Sequence, residues 1–350
     1  MQTENNLVIT TQGDFGIMTL DRAGSLNALS LPMIQGITQQ LKAWQADDAV
    51  HAVLINSNSP KAFCAGGDIR YLYDSYKNGD VGYQGYFAAE YLMLNTIRSF
   101  EKPVVVLLDG YVLGGGFGLA QACHIRVTTE KSRFSMPETA IGYFPDVGAT
   151  YILSRLGAVG CFMALSGEQI SSSDAVYLAL VDAHVSSARL AELTDALLAA
   201  PQPTKAAITD ILSTFASEAT ESELKAKAAS ISNHFSYPKL EQIEHSLANE
   251  TDPAHQAWAQ KILGILQQRS LLAKQASLRL QQIGAQLSLA QCMQLERDMQ
   301  DIWFEHGDLI EGVRALLIDK DKQPKWQTQN AQLEQILDDL FAQVTEVVSA

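Results

Sequence analysis

The run Val104–Leu108 (VVVLL) constrains the fold more than any other segment. A strand with no polar face belongs in a sheet that is covered on both sides. Asp109-Gly110 closes the run, and GGGFG (Gly114–Gly118) then opens a helical pattern through LAQAC. Strand, glycine turn and helix in that order make an α/β element. The rhythm recurs. HAVLIN (His51–Asn56) and IRVTT (Ile125–Thr129) read as further strands, and Leu7–Gln12 and Phe15–Leu20 flank the hairpin-like turn Gly13-Asp14. Ile34, Ile37, Leu41 and Trp44 recur at helical spacing. Repeated ββα units are expected.

After about residue 150 the character changes. No long strand pattern follows. Trp258, Ile262, Ile265 and Leu266 mark one apolar helical face, and the last helix sets Leu333, Ile336, Leu337, Leu340, Phe341, Val344 and Val347 on one side. Glu218–Lys227 reads as a solvated helix. The expected organisation is a strand-rich core over residues 1–190 and a helical region over 191–350, with Pro201-Gln202-Pro203 as a joint.

Charge and cysteine usage narrow the function. The chain has 350 residues and a net charge of −14, which argues against nucleic acid and anionic membrane as partners. An anionic small ligand would need a local basic patch. Cys64, Cys123, Cys161 and Cys292 lack any Cys-x-x-Cys pairing, so buried reduced thiols are expected rather than disulfides or zinc. The seven histidines show no metal-binding spacing, and His124 reads as a satisfied core residue. No run reaches ~18 apolar residues, and MQTENN has neither a basic region nor an apolar stretch. The expected location is cytoplasmic.

Three stretches carry chemistry: FCAGGDIR (Phe63–Arg70), GGGFG, and MPETAIGYFPDVG (Met136–Gly148). The first two expose backbone N–H groups at glycines, which can hold a developing oxyanion. GGGFG fits neither G-x-G-x-x-G, since Leu119 occupies the place of the last glycine, nor a P-loop. The third stretch brings Glu138 and Asp146, two carboxyls suited to acid–base work beside Tyr143 and Phe144. Bland readings stand beside these. The glycines can simply serve tight turns. Ser135–Glu138 fits a capping box, and Asp146 can cap a helix that starts near Val147.

Taken together, the three stretches resemble the crotonase (enoyl-CoA hydratase/isomerase) superfamily. DRAGSLNALSLPMI (Asp21–Ile34) and GDLIEGVRALLIDKDKQPKW (Gly307–Trp326) extend the likeness over nearly the whole chain. The last block is absent from ordinary short hydratases and points to the subfamily that hydrolyses 3-hydroxyisobutyryl-CoA. The resemblance implies a fold class of α/β type, a crotonase-like spiral of stacked ββα units with a helical C-terminal region. It implies an acyl-CoA substrate, an oxyanion hole from the N–H groups of Gly67 and Gly115, an adenine and pantetheine path past Ala65, a further substrate contact at Gly118, and a basic contact from Arg70 to coenzyme A phosphates. Hydratases of the family carry a glutamate where this chain has Gly118; hydrolases use the pair that matches Glu138 and Asp146. The implied reaction is hydrolysis of a short branched 3-hydroxyacyl-CoA thioester, a step of valine breakdown. It needs no metal and no cofactor, coenzyme A being part of the substrate. The alternatives are an enoyl-CoA hydratase or isomerase reaction and a non-catalytic acyl-CoA-binding scaffold. A homo-oligomer is compatible with the family.

Overall fold

The computed structural model describes residues 2–4 and 6–349, with side chains described over 6–344. Eleven strands are present among the described residues: β1 (Gln2–Glu4), β2 (Leu7–Gln12), β3 (Phe15–Leu20), β4 (Ala52–Ser57), β5 (Ala62–Cys64), β6 (Val104–Leu108), β7 (Tyr111–Leu113), β8 (Ile125–Thr128), β9 (Arg133–Ser135), β10 (Ile170–Ser171) and β11 (Ala183–His184). Seven form one sheet in the order β1-β2-β3-β4-β6-β8-β11, and four form a second in the order β10-β9-β7-β5.

The repeat is visible in this partition. β4, β6 and β8 pair in parallel in the larger sheet, and β5, β7 and β9 pair in parallel in the smaller one. Each repeat gives its first strand to one sheet and its second to the other. Parallel neighbours need a crossover, and helices supply it. The VVVLL run forms β6, buried at every position. Val105 lies opposite Leu54 on one side and Ile125 on the other. With Phe15, Leu107, Val127, Leu193, Leu197, Ile208 and Leu212 these residues build one apolar core.

Helix α1 (Leu31–Gln45) starts where Ser30 accepts the Met33 N–H, and it buries Ile34, Ile37, Leu41 and Trp44 as their spacing requires. Helix α2 (Ile69–Asn78) follows the first glycine turn, and α3 (Gly82–Arg98) follows α2. Helix α4 (Gly115–Ala122) follows the second. Helix α5 (Ala149–Ser154) follows the loop that carries Asp146.

The chain forms two compact units that alternate along the sequence, a different division from the consecutive 1–190 and 191–350 read above. One comprises Met1–Asp68, Gly85–Ser135 and Gln169–Lys225; the other comprises Ile69–Gln84, Met136–Glu168 and Ala226–Ala350. The reason is physical. A strand depends on its neighbours for backbone hydrogen bonds, so the sheet unit collects every strand, wherever it falls in sequence. Helices satisfy their own backbone and are free to gather elsewhere.

Local departures are small. Residues 218–222 are not helical, and the helix there is Glu223–Phe235. The Asp174 carboxyl accepts from the Ser222 hydroxyl and the Leu224 N–H, which holds this segment in its own course and keeps that carboxyl below its ordinary range. The last helix, Ala331–Ser349, buries Leu333, Leu337 and Phe341, while the side chain of Val347 lies outside the described residues. His124 is satisfied, its Nδ1 accepting the Val104 N–H at 3.1 Å. All four cysteines are free and buried.

Candidate active site

The first glycine turn leaves β5 and is braced by the loop 26–29. Ala65 N–H donates to Leu26 O, Leu29 N–H donates to Gly66 O, and Asp68 N–H donates to Leu29 O, at 3.0, 2.8 and 3.0 Å. The second turn ends β7. Gly114 has φ 50° and ψ −121°, a conformation that L side chains avoid, and it swings the chain directly into α4. Gly115 is therefore the first residue of that helix, where an N–H has no partner within the helix. A Cβ placed on Gly115 would stand 3.2 Å from Gly67 N, and one on Gly66 would stand 3.9 Å from Gly115 N. The two N–H groups are neighbours, and neither has a backbone acceptor among the described residues. Paired donors at a helix N-terminus suit a carbonyl oxygen that gains negative charge. Ala65 is half-buried on the same turn. Gly118 is buried in α4 with its N–H donating to Gly114 O, so this helix brings no acid to the turn.

An acid arrives from α3 instead. Glu90 is 3% exposed, and its Oε1 lies 2.7 Å from the Cβ position of Gly115. That oxygen is buried and has no hydrogen-bond partner among the described residues. Burial pushes the Glu90 carboxyl from an ordinary 4.5 up to about 8, so it is neutral at pH 7 and can donate an O–H. Burial likewise pushes the neighbouring Cys64 thiol up to about 12, leaving it un-ionised and inert. Tyr86, one turn before Glu90, donates its hydroxyl to Leu29 O and accepts the Asp68 N–H. The motif reading did not find Glu90. A signal was present, because Phe87, Glu90, Tyr91 and Leu94 share one buried helical face, and a lone carboxyl in such a face calls for a reason.

This geometry makes Gly115→Ala a sharp test. The added methyl meets Glu90 Oε1 and crowds Gly67 N. Turnover is expected to fall about 10²-fold or more, the usual loss for a damaged oxyanion donor. Steady-state rates with a melting curve check it.

The helical unit carries the other two carboxyls. Glu138 is 7% exposed and begins a short 3₁₀ turn, Glu138–Ile141. Pro137, not Ser135, stands at the cap position, with no side-chain capping bond. Asp146 is 5% exposed, and its Oδ2 accepts from Gln300 Nε2 at 3.3 Å. It does not cap α5 either, because Gly148 occupies that place. Val147, next to it, has φ 55°. A β-branched residue in that region costs on the order of 1–3 kcal/mol and marks a position fixed by its surroundings. Arg70 is exposed in the same unit, its guanidinium donating to Leu317 O at 2.7 Å. No group of three or more His, Cys, Asp or Glu side chains among the described residues is arranged to hold a metal ion. No helix among them is long and apolar enough to cross a membrane.

The structure thus brings Gly67 and Gly115 together with Ala65 and Gly118 nearby, adds Glu90, and places Glu138, Asp146 and Arg70 in the helical unit. Known proteins give these positions a context. A curated relative from Gallus gallus, named 3-hydroxyisobutyryl-CoA hydrolase, mitochondrial, is 38% identical over 340 residues, covering 95% of this chain and 87% of that protein. The protein of the same name from Homo sapiens is 37% identical over 327 residues, covering 91% and 83%. Among solved structures, a carnitinyl-CoA dehydratase from Mycobacterium thermoresistibile superposes with a TM-score of 0.86 at 30% identity, over 95% of this chain and 96% of that one. An enoyl-CoA hydratase from Rhodobacter sphaeroides 2.4.1 gives 0.84 at 32% identity, over 97% of each. These likenesses confirm the crotonase fold. The family model described as enoyl-CoA hydratase/isomerase matches residues 15–344, and the chain belongs to that family.

Proposed function

We propose that the chain hydrolyses the thioester of a short branched 3-hydroxyacyl-CoA, 3-hydroxyisobutyryl-CoA first among them, releasing 3-hydroxyisobutyrate and coenzyme A in valine breakdown. One observation carries the reading: two adjacent N–H groups, Gly67 and Gly115, without backbone acceptors among the described residues, beside the buried carboxyl of Glu90, in a chain whose curated relatives are named for that hydrolysis.

In this reading the two amides stabilise the carbonyl oxygen as the tetrahedral intermediate forms, each contributing about 10²–10³ in rate. Glu138 supplies the electron pair. Either it attacks the carbonyl carbon, giving an acyl–carboxyl anhydride that water opens, or it takes a proton from a water that attacks. Transfer of ¹⁸O from solvent into Glu138 occurs only by the first route. Asp146 orients the substrate hydroxyl or delivers the proton that leaves with the sulfur. Glu90, as a neutral acid, donates a hydrogen bond to the bound acyl group, which an ionised carboxylate could not do. Arg70 meets coenzyme A phosphate, giving an acidic protein a local contact for an anionic ligand. Gly67, Gly115 and Ala65 line the acyl and pantetheine path. No metal or redox cofactor enters the scheme.

A second reading, hydration of an enoyl-CoA, is favoured by the likeness to the solved carnitinyl-CoA dehydratase and enoyl-CoA hydratase. Gly118 speaks against it, since no acid stands at that position of α4. Parallel assays separate the two. Free-thiol release from 3-hydroxyisobutyryl-CoA is expected, with little consumption of crotonyl-CoA double bonds. Hydration of crotonyl-CoA without thiol release would replace the hydrolase reading, and binding without any turnover would leave a scaffold. We propose a cytoplasmic location, although the relatives carry names that place them in mitochondria, and cell fractionation decides. A homo-oligomer is proposed on family grounds, to be read from sedimentation.

A further inference from the structure

We propose that the helix Leu289–His306 is a positioning element for the reaction, with Gln300 and Glu296 setting the place of Asp146. The inference rests on the reading above, in which Asp146 takes part in the chemistry.

Three polar side chains of this helix stand at 296, 300 and 303, a spacing that puts them on one face. All three are buried, Glu296 and Trp303 at 0% and Gln300 at 3% exposure. Each spends its polar group on the loop after Glu138. The Trp303 indole N–H donates to Gly142 O at 2.7 Å, and its ring meets Phe144 edge-on at 5.3 Å. Gln300 Nε2 donates to Asp146 Oδ2. Glu296 accepts the Gly148 N–H at 2.7 Å on one carboxyl oxygen and the Thr150 N–H at 2.9 Å on the other. Every second residue from 142 to 150 is therefore held by one helix face.

The next helix, Leu309–Val313, closes against the start of the same loop. A Cβ on Gly142 would stand 2.6 Å from Asp308 O, and one on Gly312 would strike the Ile141 carbonyl. Asp308 is fixed in turn by the Ser270 hydroxyl at 2.6 Å and the Gln327 N–H at 3.1 Å. The GDLIEGVRALL block thereby acquires a physical role, since it seats the Glu138 turn from beneath.

Two features separate positioning from ordinary packing. First, the left-handed Val147 sits between the two gripped points, Asp146 and Gly148. A strained residue keeps its conformation only where its neighbours over-determine it. Second, Gln300 holds Asp146 with a neutral amide. An amide fixes direction and adds no charge.

The test compares Gln300→Met, Glu296→Gln, Asp146→Asn and the double variant Gln300→Met/Asp146→Asn with 3-hydroxyisobutyryl-CoA as substrate, each checked by a melting curve. Methionine keeps the glutamine's shape and removes the donor. A displaced reacting group is expected to lower kcat on the order of tenfold to 10²-fold with KM within about twofold. Glu296→Gln keeps one acceptor oxygen, so a smaller fall in kcat alone is expected. In the Asp146→Asn background, Gln300→Met should add nothing, because both act through one carboxyl. Wild-type kcat in both Gln300→Met and Glu296→Gln, or full multiplication of the Gln300 and Asp146 effects, would overturn the positioning role. Wild-type kcat in Asp146→Asn would instead overturn the reading of Asp146 itself.

Discussion

Glu138→Gln is expected to lower thioester hydrolysis about 10³-fold, within the 10²–10⁴ range for loss of a positioned acid–base group, and further if the carboxyl is the nucleophile. The substitution keeps size and shape and removes the basic electron pair. The surrounding turn is also held by main-chain bonds. Its cap position carries no side-chain hydrogen bond, and Tyr143 N–H is accepted by the backbone oxygen of Glu138 at 3.0 Å. A melting curve separates lost chemistry from lost fold, and calorimetry should show acyl-CoA bound nearly as well as by the unaltered protein. Thiol release then reports the chemistry alone. If the glutamine form kept most of its rate, Glu138 would be reduced to a turn residue and the proposed mechanism would lose its electron donor.

The second large effect concerns Glu90, and here stability and activity move in opposite directions. Its carboxyl ionises near 4.5 in an unfolded chain and near 8 in the folded one. Between those values the folded protein keeps a proton that the unfolded chain has lost. The contribution of Glu90 to stability is thus fully present below about pH 4.5, declines as pH rises, and is withdrawn by about pH 8. The loss is on the order of 5 kcal/mol. Glu90→Gln removes the titration. Its melting temperature is expected to exceed that of the parent at pH 8 and above, with the difference closing toward pH 5. Turnover is expected to fall about tenfold, because the amide N–H is a weaker donor than the carboxylic O–H and cannot pass on a proton. The parent's rate should also decline as pH rises through about 8, a limb that the glutamine form should lack. Melting curves and rate profiles over pH 5–9 check both halves. A variant no more stable at high pH would show that Glu90 is not held neutral by burial.

A site that tolerates such a group is a familiar compromise. Function needs a buried polar atom facing a ligand, and the empty fold is less stable for it. Glu90 Oε1 is a buried polar atom with no hydrogen-bond partner among the described residues, as the proposed site requires.

Legibility in the sequence followed the range of the interactions involved. The VVVLL run, the two glycine turns and helix α1 were readable, because each is fixed by a local pattern: an unbroken apolar run, a conformation open only to glycine, and a 3.6-residue period beginning at a serine cap. Glu138 and Asp146 were nameable from their motif. The bland alternatives were local as well, and the structure removed them by putting Pro137 and Gly148 at the cap positions. Glu90 lay outside every motif. Only the approach of α3 to Gly115 gives it a role. Glu296, Gln300 and Trp303 lie about 150 residues beyond the loop they hold, as the separations of 148, 154 and 161 positions show, and no local pattern ties such distant partners.

By itself the sequence determined which backbone groups stand open and which side chains can carry a proton. Backbone conformation at glycine and the chemistry of a carboxyl are properties of the residue and its near neighbours. Only the tertiary structure decided which carboxyl is buried beside the glycine turn and which loop is held by distant partners. Both depend on removal of water and on partners far away in the chain: the burial that pushes Glu90 to about 8, and the one helix face that fixes Gly142 through Thr150.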